Sequence, residues 1–184
     1  MKAMHTHQFP TTRAAALILA GLAGTLALIA GCGTSASATG PASPPNATLA
    51  SGSKSTLLGR AAFPQFHVKR KSDDGWQMEI NAKDSLDVAV QSITFDVGAQ
   101  SGWHSHPGPV LIQVVTGTMT FYESDDPTCT PIVRTAGQGY LDVGDHAHIA
   151  RNESGAPATN VVTYFAPPGA ALRIDQPSPG NCPF

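Results

Sequence analysis

Two pairs of histidines, each with one residue between its members, constrain this chain more than any other feature. The pairs are His104 with His106 and His146 with His148. Side chains two residues apart project from the same face of a β-strand, so each pair can direct two imidazoles at one point. Because neutral imidazole is a common protein ligand for metal ions, this spacing predicts strands that carry a metal site.

The first 31 residues have the organisation of an export signal. Lys2 and Arg13 precede a long apolar stretch whose length fits the core of a signal peptide or a short membrane anchor. The stretch ends in Ile29-Ala30-Gly31-Cys32, which resembles the lipobox of bacterial lipoproteins. This resemblance implies a lipoprotein signal peptide over residues 1–31 and a diacylglycerol on Cys32. The chain is therefore expected to be exported and anchored to a membrane, at the cell surface or on its periplasmic side.

After this leader we predict two segments. The first is a flexible, lipid-anchored linker over residues 32–58, and the second is one domain over residues 59–184. The linker is rich in Ser, Thr, Ala, Gly and Pro, and such a segment cannot bury enough apolar surface to offset the entropy of ordering it. The remaining length suits a single hydrophobic core. The formal net charge of −2, from 11 Lys and Arg against 13 Asp and Glu, gives no reason to expect a nucleic acid partner.

The two cysteines of the domain, Cys129 and Cys182, are predicted to form a disulfide. Both lie in segments that contain proline and have the composition of loops, and an exported chain meets oxidising conditions. A bridge between them would stabilise the fold by roughly 2–4 kcal/mol, mainly by restricting the unfolded chain. The alternatives are two free thiols or two metal ligands.

From residue 76 onward, short β-prone runs alternate with turn signals. The predicted strands are Trp76–Asn81, Val88–Val97, Leu111–Val115, Thr118–Tyr122, Pro131–Arg134, Tyr140–Val143, His148–Arg151, Val161–Phe165 and Leu172–Ile174. Thr116-Gly117 between the third and fourth of these runs predicts a tight hairpin. A series of this kind without helical periodicity predicts an all-β sandwich or barrel.

Glycines and an asparagine extend the histidine pattern. Gly98-(x)5-His104-x-His106-(x)10-Gly117 resembles the first motif of the cupin superfamily, and His148-(x)3-Asn152 resembles the end of the second. The resemblance covers about residues 86–166 and indicates a small single-domain cupin of the conserved-barrel type. It implies a jelly-roll β-barrel with a metal ion at one end of its cavity. Cupin barrels often form homodimers, so a homodimer is a possible assembly.

The resemblance assigns a role to each of these positions. His104, His106 and His148 would bind the metal, and the turn and framework positions would be Gly98, Gly117, Gly144 and Asn152. The alternative is that the three histidines are hydrogen-bonded buried side chains in a barrel that has lost its metal. Trp103 alternates with the first histidine pair, so it is predicted to face away from the metal.

Two departures from the family pattern affect this assignment. The glutamate that usually follows the second histidine of the first motif is absent, since Pro109 and Val110 stand at the corresponding positions. The second motif, Asp142-Val143-Gly144-Asp145-His146-Ala147-His148, lacks the usual proline and has one extra residue before the aligned histidine. That extra residue introduces His146 as a possible fourth imidazole ligand in place of the missing carboxylate.

Two functions of different classes follow from a site of this composition. Neutral nitrogen ligands leave the full charge on a divalent ion and make it a stronger Lewis acid. By resemblance to three-histidine cupin dioxygenases, the chain could be a metal-dependent oxidoreductase acting on a small molecule. It could also be a non-catalytic module that holds a metal or small ligand. The ligand types leave the ion open among iron, zinc, copper, nickel and manganese, and no residue is identified as a catalytic acid or base.

Overall fold

The computed structural model describes residues 43–184, and every regular element within that range is a β-strand. The predicted signal peptide, the lipidation site Cys32 and the first part of the predicted linker lie outside the described residues. Twelve strands follow one another in this part of the chain: β1 (Ser51–Phe63), β2 (Phe66–Lys71), β3 (Gln77–Ala82), β4 (Leu86–Gln100), β5 (His104–Ser105), β6 (Val110–Thr116), β7 (Thr118–Glu123), β8 (Ile132–Thr135), β9 (Gly139–Asp142), β10 (His148–Arg151), β11 (Ala158–Ala166) and β12 (Ile174–Asp175). No helix in residues 43–184 is long and apolar enough to cross a membrane.

The eight strands from β4 to β11 pair in a nested order. β4 pairs with β11, β5 with β10, β6 with β9 and β7 with β8, all antiparallel. The first strand thus lies beside the last, the second beside the seventh, and so on inward, which is the connectivity of a jelly roll. Two layers result, β4-β11-β6-β9 and β5-β10-β7-β8, and a pairing between β4 and β10 joins them. The predicted all-β jelly-roll fold is confirmed.

Alternating burial along the strands places the core between the two layers. β11 buries every second side chain from Ala158 to Ala166, and β6 does the same at Val110, Ile112 and Val114. This period of two gives each strand one face for the core and one for the outside. Phe121 and Tyr140 stack inside this core with ring centroids 4.2 Å apart.

The predicted linker ends earlier than residue 58. β1 begins at Ser51 and runs antiparallel beside β4, from Ser51 opposite Gln100 to Phe63 opposite Leu86, with shifts of register after Ser51 and after Leu57. Most of its side chains are exposed. Its small and polar residues therefore do not need a core to hold them, because the backbone ladder with β4 orders the strand.

The predicted hairpin at Thr116-Gly117 is wrong. β6 pairs with β9 and β11, whereas β7 pairs with β8 and β10, so the turn carries the chain from one layer to the other. Gly117 has φ 76°, and a Cβ there would lie 2.7 Å from the carbonyl oxygen of Pro157. The glycine thus serves a close backbone approach as well as the positive φ that suggested a hairpin.

The predicted disulfide between Cys129 and Cys182 is formed, with the Cα atoms 5.2 Å apart. Cys182 packs with Trp103, Tyr122 and Ile149 in a second, smaller cluster of buried side chains. Trp103 belongs to this cluster, so the prediction that it faces away from the histidines is confirmed.

Candidate metal centre

Three of the predicted ligands meet inside the barrel. His104 on β5 lies directly opposite His148 on β10, and His106 follows β5 by one residue. The ring centroids are separated by 4.8 Å for His104 and His106, 4.4 Å for His104 and His148, and 5.2 Å for His106 and His148. One ring nitrogen from each histidine lies within 4.8 Å of the other two, and all three side chains are buried. Three imidazoles from two distant chain segments thus face one centre.

The Nδ1 atom of each histidine is engaged outside this centre. His104 Nδ1 lies 2.8 Å from the carbonyl oxygen of Gly102, and His106 Nδ1 lies 2.6 Å from that of Leu172. His148 Nδ1 lies 2.5 Å from the carboxylate oxygen Oδ2 of Asp142. Because carbonyl oxygens can only accept hydrogen bonds, the neutral rings of His104 and His106 carry their proton on Nδ1 and leave the Nε2 lone pair free. This is the tautomer that a ligand through Nε2 requires.

Burial keeps two of the rings in their neutral form. It lowers the pKa of His104 well below the usual value, and the neighbouring His148 and Arg173 add to this effect. Burial also lowers the pKa of His106 to about 4, with a further contribution from His148. Protons therefore do not compete for these two rings at neutral pH, which favours metal coordination.

Asp142 adjoins the three histidines, and the sequence patterns did not single it out. Its side chain is buried, its Oδ1 accepts a hydrogen bond from the Gly144 amide at 2.6 Å, and its Oδ2 also lies 3.7 Å from His106 Nε2. Burial raises the pKa of Asp142, but contacts with His148 and the amide outweigh burial, so the pKa lies below its usual value. The carboxylate is therefore charged beside the histidines. A carboxylate at the motif position that usually holds proline was the signal available in the sequence.

His146 does not join the other histidines. Its Nε2 lies 2.8 Å from Glu123 Oε2 and its Nδ1 lies 2.5 Å from Asp145 Oδ1, in a separate and more exposed group that includes Asp125. Burial lowers the pKa of His146, but the hydrogen bonds to Asp145 and Glu123 outweigh it and raise the pKa. The predicted fourth imidazole thus lies apart from the other three, because His146 is in a turn before β10, where strand alternation does not apply.

The predicted framework residues Asn152, Gly98 and Gly144 make close contacts with backbone atoms. Asn152 is fully buried, and its amide nitrogen donates to the carbonyl oxygens of Asp96 and Ala156 at 3.0 and 2.8 Å. The Gly98 amide in turn donates to the carbonyl oxygen of Asn152 at 3.0 Å. At Gly144, φ is 87° and a Cβ would lie 2.5 Å from the carbonyl oxygen of Gly108. The turn before β10 is thus held against the loop that follows His106.

Two spaces adjoin the histidines. A small one of about 30 Å³ is bordered by all three rings and by core side chains, which is room for about one water molecule or ion. A larger cavity of about 250 Å³ is bordered by His104 and His106 and extends past Gln91, Tyr164 and Arg173. The residues therefore fit a metal ion in the first space, with a small ligand in the second.

No family model matches the chain, and no curated protein matches it either. Its structure is similar to solved structures of low sequence identity. A Cupin_2 domain of an XRE family transcriptional regulator from Enterobacter cloacae is 20% identical, with a TM-score of 0.40, covering 64% of this chain and 99% of that one. An RmlC-like cupin from Shewanella frigidimarina is 17% identical, with a TM-score of 0.41, covering 66% and 86%. A cupin-like protein from Thermotoga maritima is 20% identical, with a TM-score of 0.41, covering 50% and 65%.

Proposed function

We propose that this chain is a cupin that binds one divalent metal ion through the Nε2 atoms of His104, His106 and His148. The observation that supports this most directly is that His104 and His106 donate through Nδ1 to carbonyl oxygens outside the centre, while His148 Nδ1 contacts the Asp142 carboxylate there. One ring nitrogen of each buried histidine lies within 4.8 Å of the other two, and no hydrogen bond to the Nε2 atoms is found among residues 43–184. Oriented imidazoles of this kind are typical of metal ligands.

The three nitrogen donors suit iron(II), zinc, copper or nickel, and manganese is the less favoured ion for such a set. When bound, the ion would supply Lewis-acid chemistry and, if it is iron or copper, redox chemistry. The chain would hold and orient it, and the Asp142 carboxylate would make the His148 ring a stronger donor. Val110 stands where the family usually has a glutamate ligand and is buried in the core, so it contributes no ligand.

We further propose that the protein is a metal-dependent oxidoreductase of the dioxygenase type and that it acts on a small molecule at this site. His104 and His106 border both the small space and the larger cavity, so a molecule in the cavity would lie beside the ion. The cavity volume lies just below the range typical of small-molecule sites, roughly 300–1,000 Å³, which favours a compact substrate.

A non-catalytic carrier of a metal or small ligand is the second candidate, and one observation favours it. Besides the histidines, the ionisable side chains that border the cavity among residues 43–184 are Tyr164 and Arg173. Burial raises the pKa of Tyr164 to about 12, and arginine keeps its proton in proteins. Neither side chain would accept a proton from a substrate at neutral pH.

The chain is further proposed to be an exported lipoprotein anchored through Cys32. The Cys129–Cys182 disulfide supports export, because such bonds persist in oxidising compartments and are rare in the bacterial cytosol.

Metal analysis of the full chain, purified in detergent and supplied in turn with each of the five ions, tests the proposed function. We expect about one ion per chain for the wild type and for His67→Ala, a control at an exposed histidine. His104→Ala and His148→Ala should lose the ion while keeping the circular dichroism spectrum of the wild type. Absence of stoichiometric metal in the folded wild type would overturn the proposal. Oxygen consumption by the loaded protein with thiols and phenols would then separate an enzyme from a carrier.

A further inference from the structure

We propose that Glu123, Asp125 and His146 form a second site for a divalent metal ion, which we call the outer site. One ligand atom from each of these residues lies within 4.8 Å of the other two. None of them belongs to the three-histidine centre, so this inference stands or falls independently of the proposed function.

The pairing of β7 with β10 brings the ligands of the outer site together. Glu123 is the last residue of β7 and lies opposite the first residue of β10. Asp125 follows β7 by two residues and His146 precedes β10 by two, so the pairing places their turns side by side. The amide of Ser124 also donates to the carbonyl oxygen of Ala147 at 2.8 Å. The backbone therefore holds these distant parts of the chain at one place.

His146 lies at the centre of the outer site. Its Nε2 lies 2.8 Å from Glu123 Oε2 and 3.7 Å from Asp125 Oδ1. Ligand atoms that bind one ion at about 2.1 Å lie roughly 3–4 Å from each other, so small side-chain adjustments would admit an ion. Two further groups orient the ligands, since Asp145 Oδ1 lies 2.5 Å from His146 Nδ1 and the Tyr140 hydroxyl donates to Glu123 Oε1. Such partners behind the ligands are typical of metal sites.

The charge at the outer site favours a divalent cation. Three carboxylates, those of Glu123, Asp125 and Asp145, lie within 4.0 Å of the His146 ring nitrogens. The lysines and arginines that form ion pairs in residues 43–184 pair with other carboxylates. Even a protonated His146 would supply one positive charge against three negative ones. A divalent ion would neutralise the excess negative charge.

The ligand types and their exposure indicate which ion fits and how it is held. Two carboxylates and one imidazole suit Mn²⁺ or Zn²⁺, whereas Mn²⁺ is the less favoured ion for three imidazoles. An open pocket of about 380 Å³ is lined by Asp145 and His146, so water can complete the coordination. Because Asp125 is exposed, water and salt screen part of its charge. The ion would therefore exchange with solvent, and its binding must be measured at equilibrium.

Titration of Mn²⁺ into the full chain in detergent, stripped of metal by a chelator, tests this inference without any activity. Free aqueous Mn²⁺ gives a strong electron paramagnetic resonance signal that bound Mn²⁺ largely loses. We expect each of Glu123→Gln, Asp125→Asn and His146→Gln to weaken the binding of about one Mn²⁺ per chain by roughly tenfold or more. Asp96→Asn is the matched control at an exposed carboxylate outside the outer site and should bind Mn²⁺ as the wild type does.

His104→Gln separates the outer site from the three-histidine centre. This variant should keep Mn²⁺ binding, and Zn²⁺ should compete for the same site. Three results would overturn the inference. These are no Mn²⁺ binding by the folded wild type at millimolar concentration, wild-type affinity in folded Asp125→Asn and Glu123→Gln, and loss of Mn²⁺ binding in folded His104→Gln. Exposed Asp125 tolerates substitution, so its variant keeps the test decisive if Glu123→Gln does not fold.

Discussion

Asp142 on β9 lies directly opposite Val110 on β6 in the antiparallel pairing of these strands. In the resemblance to the first cupin motif, Val110 stands at a position where a glutamate is usual, and both side chains are buried. The Asp142 carboxylate therefore lies beside Val110, although it belongs to the neighbouring strand β9. It reaches the site through His148, whose Nδ1 lies 2.5 Å from Asp142 Oδ2.

Asp142→Asn is expected to weaken metal binding by about 10- to 100-fold, because the neutral amide no longer increases the basicity of the His148 ring. Competition against a chromophoric chelator would measure the affinity. Asp145→Asn is the matched control, since Asp145 is exposed and contacts His146 in the separate group. Equal affinities for wild type and Asp142→Asn would show that this carboxylate does not support the centre.

The stability of the metal-free protein is expected to fall as the pH decreases from about 6.5 to about 4. Burial, and secondarily His148, lower the pKa of His106 to about 4 in the folded state, whereas the unfolded histidine takes up its proton near its usual value of 6.5. The unfolded state therefore binds more protons in this window, and acid favours it by about 1.4 kcal/mol per pH unit for this residue.

Urea unfolding at several pH values would measure this dependence. His106→Gln should have a shallower slope than the wild type between pH 4 and 6.5, whatever its absolute stability. Thr56→Ser should keep the wild-type slope, because it exchanges one exposed side chain that does not titrate for another. A His106→Gln slope equal to that of the wild type would contradict the burial argument.

Local patterns in the sequence predicted most strands from β3 onward and singled out the three histidines, but they missed β2 and did not predict which strands pair. Val110 and Leu111 alternate as a strand should, yet nothing in their neighbourhood indicates that β6 pairs with β9 and β11. Pairing is decided by the non-local burial of the whole barrel. Asp142 was missed for the same reason. Its contact with the His148 ring joins residues of two different strands, β9 and β10. β1 was missed since its exposed, Ser-rich sequence carries no apolar period.

Removing the disulfide is expected to lower the free energy of unfolding by about 4 kcal/mol, the chain-entropy value for a loop of this length. Cys129 and Cys182 are separated by 53 positions in sequence. Thermal unfolding of Cys129→Ser/Cys182→Ser, and of the wild type under a reductant, should give the same lowered midpoint. Unchanged midpoints in both cases would mean that the bridge does not constrain the unfolded chain.

Cys32→Ser is expected to prevent lipid attachment, so that the chain is released from membranes or remains unprocessed. The thiol is the atom that the lipobox resemblance assigns to the diacylglycerol, and serine offers no equivalent nucleophile. Metabolic labelling with a fatty acid and fractionation of membranes would measure both effects. Cys129→Ser/Cys182→Ser should stay labelled, and labelling of Cys32→Ser would refute the anchor.

Gly144→Ala is expected to weaken metal binding as well as stability, whereas Gly137→Ala should affect stability alone. The two glycines have nearly the same φ, 87° and 86°, so both alanines incur a similar left-handed backbone cost of roughly 1–2 kcal/mol. They differ in their surroundings. A Cβ at Gly144 would lie 2.5 Å from the carbonyl oxygen of Gly108, but one at Gly137 would meet no atom within 4 Å.

The Gly144 turn must therefore shift to relieve this contact, and it connects Asp142 to His148, the two residues whose contact orients the ring. Urea unfolding would measure stability, and chelator competition would measure metal affinity. Gly144→Ala should lose more stability than Gly137→Ala, and only Gly144→Ala should lose metal affinity. Equal losses in both variants would show that the close approach to Gly108 does not position the histidine.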